Sequence, residues 1–72
     1  MTGPQAAPPP LTSRERQVLA LLSEGATDWA IAHKLGISRH TVDTYLRRIR
    51  GKTGTANRTQ LVVLALQEGY LD

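Results

Sequence analysis

The sequence contains no cysteine among its 72 residues. Disulfide bonds, thiolate metal sites and cysteine nucleophiles are therefore excluded, and the composition fits a reducing compartment. Long apolar runs are also missing: the longest extends only from Leu61 to Leu66, far short of the ~20 residues that a membrane-spanning helix needs. No signal-peptide pattern is apparent. We therefore expect a soluble, cytoplasmic protein without membrane partners.

Little of the chain is available to form a core. Residues 1–10 read MTGPQAAPPP and carry no apolar period, so we expect a disordered, Pro-rich tail or a linker there. The remaining 62 residues (72 minus 10) are predicted to form one domain, residues 11–72. A chain of ~60 residues buries only about 60% of its unfolded surface, which leaves little room for a deep catalytic pocket.

No group of residues predicts chemistry. His33 and His40 share no metal-ligand spacing, and no nucleophile, base and orienting group come together in the sequence. We therefore expect no enzymatic activity, no metal, no cofactor and no small-molecule ligand in this domain.

Positive charge is concentrated in one segment. The net charge of +3 is modest, but residues 39–58 hold six basic residues and one acid, Asp43, which makes that segment +5 (six minus one) and the rest −2. A basic segment on a neutral-to-acidic background is typical of a protein that binds a polyanion. A solvated charged helix face is the alternative interpretation.

Four helices and no strands are predicted, which makes the fold class all-α. Thr12 and Glu15 form a capping box that begins a first helix over about 13–24. Thr27 or Asp28 caps a second, short helix that stops at Gly36. The third and fourth helices are predicted over about 38–52, with Ser38 as N-cap, and from the Asn57-Arg58-Thr59-Gln60 segment to near Glu68, with Gly69 as the stop.

The second and third helices match a helix-turn-helix unit. Ala32 supplies a small side chain where the helices approach, and Gly36 tolerates the positive φ that the turn needs. Val42, Leu46 and Ile49 follow at helical spacing and are predicted to face the core. A plain helical hairpin is the alternative, but the glycine turn, the serine cap and the basic third helix together favour DNA binding.

The residues of this unit resemble those of a known family. The matching residues are Leu11-Thr12-Ser13-Arg14-Glu15-Arg16, Val18-Leu19, Gly25, Ile31-Ala32, Leu35-Gly36-Ile37-Ser38, Thr41-Val42, Ile49, Lys52, Gly54 and Asn57-Arg58-Thr59. Together they resemble the LuxR-type helix-turn-helix domain of bacterial transcription regulators over about residues 11–71. The resemblance implies a domain that binds double-stranded DNA as a homodimer, with the third helix in the major groove and the fourth at the dimer contact.

The groove-facing residues depart from that family's usual pattern. The resemblance implies base readout by Asp43, Thr44 and Arg47, yet lysine is usual at the position of Asp43 and valine at that of Thr44. An arginine can bond two acceptors of guanine at once, whereas an aspartate can accept from a cytosine amino group. We expect phosphate contacts, which position the protein without reading sequence, from Ser38, Arg39, Thr41, Tyr45, Arg48, Lys52 and Arg58.

The fourth helix is apolar all round. Leu61, Leu64 and Ala65 can close the core, which would leave Val62, Val63 and Leu66 as a partner surface. We therefore expect a homodimer through Val62, Val63 and Leu66. Closer burial of this helix against the first is the alternative.

Two other functions remain open from the sequence. One is a DNA-binding helical region like that of a sigma factor, which would dock on RNA polymerase. The other is a protein-interaction module that has kept the fold, which Asp43 on the groove-facing side favours.

Overall fold

The computed structural model describes residues 11–68 and contains four α-helices. They are α1 (Ser13–Ser23), α2 (Asp28–Leu35), α3 (Arg39–Thr53) and α4 (Arg58–Glu68). No strand occurs within residues 11–68, so the predicted all-α class is confirmed. The predicted tail over residues 1–10 and the predicted stop at Gly69 lie outside the described residues.

The helices begin where the sequence predicts them. At α1 the Thr12 hydroxyl accepts from the Glu15 backbone N–H (3.1 Å), while the Glu15 carboxylate accepts from the Thr12 N–H (2.8 Å), which confirms the capping box. Thr27 caps α2 through the Ala30 N–H (3.1 Å). At α4 the Asn57 side chain accepts from the backbone N–H three residues on (2.9 Å).

The turn between α2 and α3 depends on a left-handed glycine. Gly36 has φ 70° and ψ 34°, a conformation that disfavours residues with a Cβ. The Ile37 N–H then donates to the Ala32 carbonyl (3.0 Å), which also accepts from the Gly36 N–H at the end of α2. Ser38 caps α3 directly afterwards, so two residues separate the glycine from the new helix.

All four helices contribute to one hydrophobic core. It comprises Val18, Leu19, Leu22, Ile31, Ala32, Val42, Leu46, Ile49, Leu61 and Ala65. The predicted inward stripe of α3 is confirmed, because Val42 and Ile49 are fully buried and Leu46 is 3% exposed. This packing fixes the rotation of α3 about its own axis, so the opposite side of the helix faces outward.

Helix α4 closes the core with Leu61 and Ala65, both fully buried. Val62 is half-buried against the core, whereas Val63 and Leu66 remain exposed. Within residues 11–68, no helix has the length and apolar character to cross a membrane.

Candidate nucleic-acid interface

The outward side of α3 is a continuous polar surface. Its exposed or half-exposed members are His40, Asp43, Thr44, Arg47 and Gly51. They follow one another at intervals of one, three or four residues, which places them on one side of a helix. The three residues predicted for base readout therefore lie together on the same surface.

Asp43 and Arg47 form an ion pair on this side of α3. The Arg47 Nη2 atom lies 3.2 Å from Asp43 Oδ2, and the side chains are 70% and 45% exposed, respectively. An acid four residues before a base is the favourable orientation on a helix. At this exposure the pair contributes only about 0.3–0.5 kcal/mol to stability.

The predicted hydroxyl donors are engaged within the helix. Ser38 Oγ accepts from the Thr41 N–H (3.0 Å) and lies 2.9 Å from Thr41 Oγ1. Thr44 Oγ1 donates to the His40 carbonyl (3.2 Å), a bond that a threonine inside a helix often makes. Each hydroxyl oxygen keeps further hydrogen-bonding capacity.

Arg39 and Arg48 provide exposed positive charge on α3. Neither makes an ion pair within residues 11–68. The Arg48 guanidinium lies over the Tyr45 ring, 5.9 Å from its centroid, a cation–π geometry. Tyr45 is half-buried and packs against the core, so the ring holds Arg48 while leaving its charge outward.

Lys52, a predicted phosphate contact, forms an ion pair within the fold. Its Nζ atom donates to Glu15 Oε1 at 2.7 Å, and the two side chains are 25% and 3% exposed. An ammonium held this closely to a buried carboxylate serves the packing of α1 against α3. The predicted phosphate contact of Lys52 therefore stays a prediction, in competition with this ion pair.

Glu15 is the one buried charged residue within residues 11–67. Burial disfavours its ionised form and is the largest single influence on its pKa, but hydrogen bonds from Lys52 and Thr12 and the Lys52 charge together outweigh it. The pKa of Glu15 is therefore lowered from its ordinary value of 4.5. The carboxylate stays charged and couples the start of α1 to the end of α3.

Arg58 joins α4 to α2. Its guanidinium donates to the Asp28 carboxylate and, at 3.4 Å, to the Ala26 carbonyl. The arginine side chain remains 45% exposed. Some of its N–H donors bond to Asp28 and Ala26, and the exposed part of the guanidinium can still donate to a phosphate.

Trp29 is an exposed aromatic residue on α2. It is 63% exposed, and its ring stacks on that of His33 with centroids 5.5 Å apart and planes 2° from parallel. The two rings therefore cover each other on the surface of α2.

Sequence reasoning did not predict the three ion pairs described above. The Asp43–Arg47 pair was detectable, because an acid and a base four residues apart on a predicted helix are neighbours. The Glu15–Lys52 and Asp28–Arg58 pairs span 37 and 30 residues, and no local spacing reveals such contacts. They depend on how the helices cross.

Comparisons with known proteins identify a family for this chain. The family model for bacterial regulatory proteins of the luxR family matches residues 9–65. The monoamine regulon transcriptional regulator of Klebsiella aerogenes is 48% identical over 52 residues, which are 72% of this chain and 23% of that protein. The response regulator Rre1 of Synechocystis is 44% identical over 61 residues, 85% of this chain and 26% of that protein.

A third relative is the DNA-binding transcriptional activator DevR/DosR of Mycobacterium tuberculosis, 42% identical over 57 residues, 79% of this chain and 26% of that protein. The chain thus spans about a quarter of the length of these relatives. No solved structure matches it significantly. The family match covers the capped first helix, the glycine turn and the basic third helix together, and the chain belongs to the luxR family of bacterial regulatory proteins as a helix-turn-helix domain.

Proposed function

We propose that this domain binds double-stranded DNA by laying the outward side of α3 in the major groove, as part of a transcription regulator. The observation that carries the proposal is the division of α3 into two sides. Val42, Leu46 and Ile49 hold one side in the core, and the polar side opposite is open along the helix. The major groove of B-DNA admits one α-helix. A regulator acting on bacterial DNA works in the cytoplasm.

Base readout falls to Asp43, Thr44 and Arg47. The Arg47 guanidinium can bond guanine N7 and O6 together, and Asp43 can accept from a cytosine amino group. Because the Thr44 hydroxyl is turned back to the His40 carbonyl, its methyl group is the part suited to contact a thymine methyl.

Phosphate contacts fall to the start of α3 and to the arginines around it. Ser38 and Thr41 lie at the helix N-terminus, where backbone N–H groups and the helix dipole favour an anion. Arg39, Arg48 and Arg58 add charge, and the Tyr45 hydroxyl adds a donor. Three arginine contacts correspond to a salt slope of about −2.7 per protomer, at about −0.9 per phosphate.

The exposed side of α4 is the proposed dimer contact. Val63 and Leu66 are 47% and 54% exposed and lie three residues apart on one side of the helix, with Val62 half-buried beside them. So small an apolar surface favours a weak dimer that forms fully only on DNA. Two α3 helices would then enter successive major grooves about 10 bp apart.

The sigma-factor and interaction-module alternatives are less well supported. The luxR-family match continues into α4, and co-purification with RNA polymerase would reopen the first alternative. Asp43 argued for the second, but its pairing with Arg47 cancels the charge that would repel phosphate.

Titration of the 72-residue chain with a pool of random duplexes, followed by selection of the bound fraction, tests the proposal. We expect a complex that weakens steeply with salt and an enriched sequence. Arg48→Ala should weaken binding to all duplexes alike and make the salt slope shallower by about one. Binding that is absent, or insensitive to salt, would refute the proposed function.

A further inference from the structure

The Asp43–Arg47 pair lies at the centre of the outward side of α3. It is half-exposed at Asp43 and largely exposed at Arg47, so neither group is held there by the core. Its contribution to stability is small, and an unpaired carboxylate in this place would repel DNA. A role in DNA binding would explain why an aspartate stands beside Arg47 on this side of α3.

We propose that Asp43 is a positioning residue that fixes the Arg47 guanidinium for readout of guanine in a G·C-containing site. The inference rests on the proposed function and deepens it, since it assigns the base that α3 recognises and the residue that enforces the choice.

Donor arithmetic supports this role. A guanidinium carries five N–H donors in a rigid plane, and Asp43 Oδ2 contacts it at Nη2 alone (3.2 Å), a nitrogen that carries two of those donors. The donors that remain can address N7 and O6 of guanine, which are two acceptors side by side. An arginine already held by a neighbour loses less rotamer freedom on binding, so less of the contact energy is lost to ordering.

Charge arithmetic supports it as well. The pair is neutral, so Arg47 gains little from a phosphate and is reserved for the uncharged edge of a base. The other Asp43 oxygen, Oδ1, makes no hydrogen bond within residues 11–68. That oxygen can accept from a cytosine N4 amino group, which extends the preference to a guanine with a cytosine nearby.

The test compares Asp43→Asn with Glu24→Gln in the 72-residue chain. Both changes remove one negative charge from an exposed or half-exposed residue, but Glu24 lies at the end of α1. Each variant is titrated against the duplex that the unmodified protein selects, and against the same duplex with 7-deazaguanine, which lacks the N7 acceptor. Thermal unfolding verifies that each variant is folded.

We expect 7-deazaguanine to weaken binding of the unmodified protein and of Glu24→Gln by about tenfold. For Asp43→Asn the loss should shrink to about twofold, while the salt slope steepens by about 0.9 because Arg47 becomes available to a phosphate. Asp43→Asn/Arg47→Ala should match Arg47→Ala in guanine preference, since Asp43 acts through Arg47.

The outcomes separate the two proposals. If the unmodified protein and Glu24→Gln bind duplexes in a salt-sensitive way but Asp43→Asn keeps the full preference for guanine, the positioning role is refuted and the proposed function survives. A stronger guanine preference in Asp43→Asn also refutes it, because Asp43 would then compete with the base. If no variant binds duplex DNA, both proposals are refuted.

Discussion

Lys52 Nζ lies 2.7 Å from Glu15 Oε1, and this contact joins the third residue of α1 to the penultimate residue of α3. The same carboxylate oxygen accepts the Thr12 N–H of the capping box. One buried acid thus completes the start of α1 and secures the far end of the helix that carries the proposed interface. The positions of α1 and α3 relative to each other depend on it.

Removing the Lys52 ammonium should therefore affect folding more than DNA binding. We expect Lys52→Met to lower the free energy of unfolding by about 1.5–3 kcal/mol, because a buried carboxylate loses a charged hydrogen-bond partner. The salt slope of binding, measured under conditions where the variant is folded, should remain unchanged.

A double-mutant cycle controls this prediction. Glu15→Gln/Lys52→Met should cost less than the sum of the two single changes, because no charge is left unpaired. Additive costs would contradict the coupling of Glu15 to Lys52, and a salt slope shallower by about one in Lys52→Met would support the predicted phosphate contact of Lys52.

Acid should destabilise the domain through Glu15. Its pKa is lower in the folded chain than its ordinary value of 4.5, so the stabilising contribution is fully present above about pH 4.5 and is lost as the pH falls through the folded-state pKa. Denaturant unfolding followed from about pH 6 downward through the ordinary glutamate pKa and below it should show this decline. In Glu15→Gln the decline should be smaller, and an equal decline in both proteins would show that another group is responsible.

Gly36 should resist replacement. Gly36→Ala places a Cβ on a residue with φ 70°, and we expect a loss of about 1–2 kcal/mol in the free energy of unfolding. No heavy atom lies within 4 Å of the added Cβ, so the cost is conformational. A thermal melt that does not change would contradict the left-handed conformation at the turn.

Gly51 should behave in the opposite way. It lies within α3 on the outward side, it has no positive φ, and a Cβ there meets no atom within 4 Å. Gly51→Ala should therefore stabilise the folded chain by about 0.5–1 kcal/mol.

Duplex titration of the same variant reports on the interface. Because the proposed groove side includes Gly51, an added methyl group should weaken DNA binding even though the fold is more stable. A Gly51→Ala variant that is stabilised and binds as well as the unmodified protein would show that DNA does not approach this end of α3.

The dimer contact can be tested on α4 with a matched pair of variants. Leu66→Glu puts a charge on a residue that is 54% exposed, and we expect it to reduce cooperative binding to two half-sites while leaving stability within about 0.5 kcal/mol. Gln67→Glu adds the same charge at the next exposed position and should have a smaller effect. Equal cooperativity for both variants in titrations with a duplex that carries two half-sites would contradict this contact.

Local features of the fold were predictable from the sequence, whereas long-range contacts were not. The caps at Thr12, Thr27 and Ser38 follow from short spacings between hydroxyl groups and backbone N–H groups, and the α3 stripe follows from the helical period. The contact of Lys52 with Glu15 was not predicted, because the two residues are 37 positions apart in the sequence. The sequence shows that Lys52 is basic, but only the packing of α1 against α3 shows that its ammonium contacts Glu15.

The candidate site was predictable in outline and not in detail. The stripe of Val42 and Ile49 already implied that Asp43 and Arg47 face outward. The hydroxyl groups of Thr44 and Ser38 can bond either to the helix backbone or to solvent. Spacing in the sequence does not show which of the two they choose. What each of these residues offers to DNA follows from the contacts in the folded chain.

The most direct test is to map backbone amide shifts by NMR as the selected duplex is added to the 72-residue chain. The account predicts that the largest changes fall on α3, at Arg39, Asp43 and Arg47, and that Leu66 on α4 changes mainly where a second half-site is present. Changes centred on α1 or α4 with α3 unaffected, or no changes at all, would contradict the claim that the outward side of α3 binds DNA.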